Sequence, residues 1–325
     1  MAKFKVMMTD NVFPDLNIEQ DAFGQAGIEF FLASDATPET LAKEGKDCDA
    51  ILNVFAKVTD QVIHSLEKCK VIVRTGIGYN TIDLDVANQK GIMVANVPDY
   101  CQGEVADHAF SLFLAVARKI CFLNGKVKSG VWNANEAGPI PRLQGKTFGL
   151  YGFGSIAKLV ATRARAFGMN VMAFDPYQSD DIFLENDVKK AASLESLFFS
   201  SDFISIHAPL TKETKYSVNS DLLKVLKKSA IIINTARGEL IDTAALIDCL
   251  EKGTIAGAGL DVLEQEPPQY PSRLMELQNT VITPHAAYFS EEAMPALRRM
   301  SSAEIIRTLL EGQPKNWVNR NMMKK

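Results

Sequence analysis

Short apolar runs alternate with helical patterns in two successive series along this chain, and that alternation restricts its fold more than any other feature. The first series places "KFKVMMTD", "IEFFLA", "DAILNVF", "KVIVRT" and "IMVANVP" around the helical patterns "EQDAFGQAG", "TPETLAKEG", "TDQVIHSLEKC" and "DLDVANQKG". Strands joined by helices pair in parallel, so this segment is predicted to be one doubly wound unit. Gly27, Gly45 and Gly91 end three of the helical patterns, where a left-handed cap is least costly for glycine. Next, "EVADHAFSLFLAVARKICFLNGKV" reads as one long helical stretch with apolar residues on nearly every side, expected to be buried between domains or subunits. After a loop rich in Gly and Pro, the second series runs through "KTFGLYGFG", "NVMAFDPY", "DFISIHAPL", "AIIINTARG", "IAGAGLDVL" and "TVITPHAAY", a second nucleotide-type sheet. An amphipathic helix in "SEEAMPALRRMSSAEIIRTLLEG" follows and is expected to return to the first domain. With 325 residues and 47% apolar content the chain can fill two cores. The predicted boundaries are 1–103 with 292–325 for one domain and 104–291 for the other.

Charge and cysteine usage exclude several functions. The formal net charge of −4 comes from interspersed residues of both signs, so no footprint for nucleic acid or an anionic membrane is present. The start, "MAKFKVMMTD", lacks a signal-peptide pattern, and no apolar run reaches the roughly 20 residues that span a bilayer. A cytoplasmic protein acting on a small soluble partner is expected. Five cysteines without C-x-x-C spacing argue against a disulfide framework or a structural zinc site and for reduced, mostly buried thiols.

The second series opens with a phosphate-loop pattern. Gly152, Gly154 and Ala157 in "GFGSIA" follow a strand and start a helix, which is the context a G-x-G-x-x-G/A match requires. Gly152 permits the tight turn, Gly154 lets backbone approach a pyrophosphate, and Ala157 keeps helix and sheet close, while the helix start offers N–H groups to the anion. Asp175 ends the next strand at about the 20-residue spacing of a ribose ligand. Its carboxylate would accept the ribose hydroxyls and repel a 2′-phosphate, which favours NAD over NADP.

Of four histidines, His64 and His108 lie in helical patterns, where packing is the ordinary role. His207 and His285 follow strands of the second series, at the carboxyl edge where ligands bind in open α/β sheets. Arg237 and Glu266 fall on the same edge. Oxidation of an alcohol by hydride transfer needs an anchor for the substrate's charge, a base for the hydroxyl proton and a group that tunes the base. Arg, His and Glu can meet these needs in that order, although residue type and position also leave Glu266 open as a loop charge before Pro267 and Pro268.

Over nearly its full length the chain resembles the D-isomer-specific 2-hydroxyacid dehydrogenases, most closely their C-terminal-binding-protein-like branch. The matching motifs, in order, are "RTGIGYNTID", "NVPDYCQGEVADH", "GLYGFGSIA", "FDPY", "NTARGELID", "GLDVLEQEP" and "TPHAAYFSEEA". The resemblance implies two doubly wound α/β domains, a flavodoxin-like substrate domain and a Rossmann NAD-binding domain, with a cleft between them. It implies that Arg237 binds the substrate's carboxylate and carbonyl, that His285 is the acid/base and that Glu266 pairs with it. The loop of Thr75, Gly76, Ile77 and Gly78 would offer backbone N–H groups to the same carboxylate. Cofactor contacts are implied for Tyr151, Gly152, Phe153, Gly154, Ser155 and Ile156, then for Asp175 and Pro176. Further contacts are implied for His207, Ala208, Pro209 and Thr214, for Thr235 and Ala236, and for Asp261 and Ala287. Gly238 is expected to free the chain to turn away from the edge. A homodimer built on the cofactor domains is the family arrangement.

Three positions depart from the family pattern. Ile77 replaces a residue often Ser or Thr, Asp107 stands where the wider family has Glu, and Tyr288 stands where the animal corepressors of the branch carry Trp. The function implied is an NAD-dependent 2-hydroxyacid dehydrogenase, or 2-ketoacid reductase, for a small substrate. Two alternatives are an NAD(H)-sensing binding protein and a phosphoglycerate dehydrogenase. Against the first, the chain is expected to stop where the fold ends, with no disordered tail. Against the second, no regulatory domain is expected to follow the fold, and the first-domain loops offer mainly Arg74 and Lys57 to a phosphate.

Overall fold

The structure is a computed structural model that describes residues 3–323. It contains two parallel sheets. The first joins β1 (Lys5–Met8), β2 (Glu29–Leu32), β3 (Ala50–Asn53), β4 (Val71–Arg74) and β5 (Met93–Ala95) in the order β2-β1-β3-β4-β5. The second joins β6 (Thr147–Tyr151), β7 (Asn170–Phe174), β8 (Lys189–Lys190), β9 (Phe203–Ile206), β10 (Ile231–Asn234), β11 (Gly257–Leu260) and β12 (Thr280–Ile282) in the order β12-β11-β10-β9-β6-β7-β8. These are the flavodoxin-like order and the dinucleotide-binding order extended by one strand, each reversing direction next to its first strand. β8 is a two-residue strand that has no apolar signature in the sequence.

Residues up to Cys101 and those from Phe289 form one compact unit, and Gln102–Tyr288 form the other. In the first unit the helix Ala293–Glu311 packs on the helix Asn17–Gln25 and on β3 and β4. Its inward face is partly polar: Arg298 is buried against Glu19 at 2.6 Å, and Ser301, Ser302 and Thr308 bond carbonyls one turn back. Of the three helix-ending glycines, Gly27 and Gly91 are left-handed with φ near +68°. Gly45 is not, since its φ is −78°. The reason for glycine there is space: a Cβ would lie 2.7 Å from the Leu41 carbonyl oxygen and 2.9 Å from Met7 Cε.

In the second unit, β10 is buried along its whole length. Ile231 and Ile233 join the apolar cluster under the helix Gln102–Ala117, and Ile232 joins the cluster on the opposite face. Each such isoleucine contributes about 1.5–3 kcal/mol by burial, which makes β10 a firm base for whatever follows it. The long apolar stretch after residue 102 is two helices, not one. Gln102–Ala117 is buried on its inward face, Lys119 turns left-handed at φ 53°, and Ile120–Lys128 buries no side chain within the chain. The thiols are mixed: Cys48 and Cys249 are buried, whereas Cys121 is exposed. Among the described residues no helix is long and apolar enough to cross a membrane.

Candidate active site

The phosphate-loop pattern takes the predicted form. Gly152 has φ +85°, and a Cβ on it would lie 2.7 Å from Ala208 N and 2.8 Å from the His207 carbonyl carbon. Glycine therefore lets the turn after β6 abut the turn after β9, at the point where strand order reverses. A Cβ on Gly154 would meet nothing within 4 Å, and Gly154 and Ser155 are exposed where the helix Ser155–Ala166 begins. Asp175 reaches back from the end of β7, accepting the Phe153 N–H at 2.9 Å and the Tyr177 N–H at 2.9 Å. The Phe153 ring itself stacks on Phe183 in the core, and the Tyr151 hydroxyl lies 3.0 Å from Ser217. These two residues support the loop with side chains that face inward, while Ile156 packs against the same core and Pro176 is exposed.

The loop after β9 is knitted by Thr214, whose hydroxyl donates to the Pro209 carbonyl at 2.7 Å and accepts the Thr211 N–H at 2.7 Å. His207 Nε2 lies 2.8 Å from Ser205 Oγ, and burial lowers its pKa from 6.5 to about 4. A neutral imidazole near pH 7 cannot serve as an acid there. Beyond β10, the Thr235 hydroxyl is buried without a hydrogen-bond partner. An open glycine at a helix start, a braced acid at the ribose position and an orphaned hydroxyl on the same edge together fit a dinucleotide.

Three adjacent strands carry the remaining groups. After β10, the buried Asn234 side chain accepts the Ala236 N–H at 3.0 Å and donates to the Arg237 carbonyl at 2.8 Å, fastening the turn that holds Arg237. Gly238 does not serve chain reversal, because its φ is not positive. A Cβ there would lie 2.0 Å from the Leu263 carbonyl carbon and 2.3 Å from Glu264 N, so glycine is what allows the Arg237 turn to touch the segment bearing Glu266. After β11, Glu266 accepts the Leu263 N–H at 2.9 Å on one oxygen and lies 2.6 Å from His285 Nδ1 on the other. Burial raises the Glu266 carboxyl, but the hydrogen bond and charge of His285, the Leu263 amide and the charge of Arg237 outweigh it and hold it below the usual carboxylate range. After β12, His285 has φ 52°, a left-handed backbone that costs a non-glycine residue about 1–3 kcal/mol. The Tyr288 ring meets its imidazole edge-on, with centroids 6.1 Å apart.

The NAD-binding-domain profile of D-isomer-specific 2-hydroxyacid dehydrogenases matches residues 110–287. The chain belongs to that family. Its relatives include a glyoxylate reductase of Thermococcus litoralis, 37% identical over 91% of this chain and 91% of that one. A D-3-phosphoglycerate dehydrogenase of Methanocaldococcus jannaschii is also 37% identical, over 97% of this chain, but the match spans only 59% of that protein. Among solved structures, a glyoxylate reductase from Paecilomyes thermophila superposes with a TM-score of 0.88 at 27% identity, covering 99% of this chain and 100% of that one. Members of the family are NAD(P)-dependent oxidoreductases acting on CH–OH groups.

In this dehydrogenase, the sequence did not reveal what Asp261 does. A cofactor contact is expected of it and of Ala287, yet both are buried, and the Asp261 carboxylate has no exposed surface. Its oxygens accept the Ala286 N–H at 2.8 Å, the Ala287 N–H at 2.9 Å and the Thr283 hydroxyl at 2.6 Å, so they brace the His285 turn from behind. Burial raises this carboxyl, and hydrogen bonds from His108, Thr283 and the two amides more than offset that, leaving it lowered. His108, read as a packing residue, reaches this cluster: its Nε2 lies 2.9 Å from Thr283 Oγ1. Asp107 beside it pairs with Arg163 at 2.5 Å.

Within the first unit, the loop after β4 is braced on several sides. The Thr75 and Gly76 N–H groups already donate to the Asn53 and Arg74 carbonyls at 2.7 and 2.9 Å. The Ile77 carbonyl accepts from Asn96 Nδ2 at 2.6 Å. Asp10, a residue with no motif to mark it, holds the neighbouring loop after β3 by accepting the Phe55 and Ala56 amides at 2.8 and 3.1 Å.

Proposed function

We propose that this chain reduces small 2-ketoacids to 2-hydroxy acids with NADH, glyoxylate to achiral glycolate among them and other ketoacids to the D-isomer. The observation that carries this reading is the His285–Glu266 pair at 2.6 Å, placed on the strand end next to Arg237's turn. Arg237 takes the substrate's carboxylate; a guanidinium fork fixes orientation as well as charge, each charge-assisted bond being worth about 1.5–3 kcal/mol. Glu266, held ionised, takes the Nδ1 side of His285, which leaves Nε2 as the atom that gives a proton to the ketone oxygen or removes one from the alcohol.

A bound nicotinamide would supply or accept the hydride at C2. Residues 152–156 would hold the pyrophosphate of the dinucleotide and Asp175 its adenosine ribose, with Thr235, Ala236 and the His207–Pro209 segment as further cofactor contacts. Asp175 favours NAD over NADP, since a 2′-phosphate beside its carboxylate would be repelled. A homodimer in the cytoplasm completes the reading; the exposed Ile120, Val127 and Trp132, the last 89% exposed, supply apolar surface for a second copy.

The test is NADH oxidation with glyoxylate, hydroxypyruvate, pyruvate, a branched-chain ketoacid and phosphohydroxypyruvate. Turnover of an unphosphorylated ketoacid that Arg237→Lys weakens by about 10- to 100-fold in kcat/KM is expected, because a point charge cannot replace the fork. No turnover with any ketoacid, or an Arg237→Lys enzyme equal to the parent, overturns the reading.

A further inference from the structure

The left-handed backbone of His285 persists only if its surroundings over-determine it, and Asp261 is a main source of that restraint, beside the Thr283 carbonyl, which also accepts the His285 N–H at 3.0 Å. The His285 N–H donates to the Asp261 carbonyl at 2.8 Å, and the next two amides donate to the two oxygens of the Asp261 carboxylate at 2.8 and 2.9 Å. Three successive amides thus converge on one residue, the first on its main-chain carbonyl and the next two on its carboxylate.

The same carboxylate is also held by Thr283. Its hydroxyl donates to Asp261 Oδ1 at 2.6 Å. A hydroxyl has one proton, so the 2.9 Å contact with His108 Nε2 requires the histidine to be the donor. His108 Nε2 also lies 3.4 Å from Asp261 Oδ1. The result is a directed relay, His108 Nε2–H to Thr283 Oγ–H to Asp261 carboxylate, running from the helix Gln102–Ala117 to the turn after β12.

We propose that His108 and Thr283 are positioning residues for the acid/base His285, acting through the Asp261 carboxylate and the amides it holds. Neither touches the reacting atoms. The relay gives the helix Gln102–Ala117, itself packed on β10 and β11, a direct hold on the catalytic turn. The inference rests on the reading of His285 as the acid/base.

Thr283→Val keeps the side chain's shape and removes the hydroxyl; Thr283→Ser keeps the hydroxyl. His108→Phe removes the donor; His108→Gln keeps one. With glyoxylate, or whichever ketoacid the panel identifies, Thr283→Val and His108→Phe are expected to lower kcat by about 10- to 100-fold, the scale of a misplaced catalytic group, with little change in the KM for NADH. Thr283→Ser and His108→Gln recover most of the loss, and the double variant Thr283→Val/His108→Phe is no worse than either single one, since both cut the same chain. The His285 imidazole resonances, followed by NMR without substrate, shift in Thr283→Val and not in Thr283→Ser.

Unchanged kcat and unchanged His285 resonances in both Thr283→Val and His108→Phe refute the relay, as does strict additivity in the double variant. If Thr283→Val does not fold, the His108→Phe and His108→Gln pair decides alone. If His285→Gln itself keeps full turnover, the acid/base reading fails; if His285→Gln is inactive while the relay variants are normal, only this inference fails.

Discussion

His285 Nδ1 stands 2.6 Å from Glu266 Oε2, and the second oxygen of that carboxylate receives the Leu263 amide at 2.9 Å. The carboxylate is therefore fixed by backbone before it orients the imidazole. Glu266→Gln keeps the shape and removes the charge that stabilises a protonated imidazole. Its kcat is expected to fall by about 10²-fold or more, the scale of general acid–base catalysis, with cofactor affinity unchanged. Steady-state kinetics beside NADH titration by fluorescence measures both quantities, and a Gln variant with parental kcat would remove Glu266 from the mechanism.

Two glycines should respond in opposite ways to alanine. A Cβ on Gly238 would be driven 2.0 Å into the Leu263 backbone, whereas one on Gly154 would meet no protein atom. Gly238→Ala is expected to lose about 1–3 kcal/mol, and so several degrees of melting temperature at roughly 2–4 °C per kcal/mol for a unit of this size, together with turnover. Gly154→Ala should melt with the parent and raise the KM for NADH about tenfold, because only an approaching pyrophosphate would meet its methyl group. Calorimetry and kinetics on the pair give the contrast, which vanishes if both variants melt alike.

Asp175 accepts two amides and would also accept ribose hydroxyls. In Asp175→Asn one acceptor and the negative charge are lost. The ratio of kcat/KM for NADPH to that for NADH is expected to rise about tenfold or more, mainly through weaker use of NADH. An unmoved ratio would mean that cofactor choice lies elsewhere.

Of the proposed site, the sequence made legible what depends on residue type at a strand end. Gly152, Asp175, Arg237 and His285 each follow a run whose apolar pattern marks a buried strand, and the carboxyl edge of a parallel sheet brings such residues together without further information. What stayed hidden depends on contacts between distant turns. Asn234 and Asp261 look like ordinary ends of strands, and only the folded chain shows their side chains bonding the turns beyond them. Gly238 and Gly45 read as sites of conformational freedom, whereas each is glycine because another segment lies where a Cβ would be. The helical stretch after residue 102 reads as continuous because nothing in its apolar pattern signals the left-handed Lys119.

His207 makes a prediction about pH. Its pKa is about 4 in the folded chain against an ordinary 6.5. Above pH 6.5 both states are neutral; as pH falls from 6.5 towards 4 the unfolded chain binds a proton that the folded chain refuses, so stability declines across that window. His207→Gln, which can still bond Ser205, is expected to flatten the decline of melting temperature between pH 6.5 and 4. Thermal melts across that range check it, and parallel slopes for variant and parent would contradict it.

The first unit is discontinuous, opened by β1 and completed only by the segment from Phe289 onward. During synthesis its five strands leave the ribosome before the helix Ala293–Glu311 that covers β3 and β4 exists. Glu19, fully buried in the finished protein, must wait for Arg298 to be translated before its charge is paired. The dinucleotide-binding unit, continuous from Gln102 to Tyr288, has by then been translated in full. Synthesis therefore completes the two units against the order in which they are begun: the last residue of the unit begun second is added before the last helix of the unit begun first.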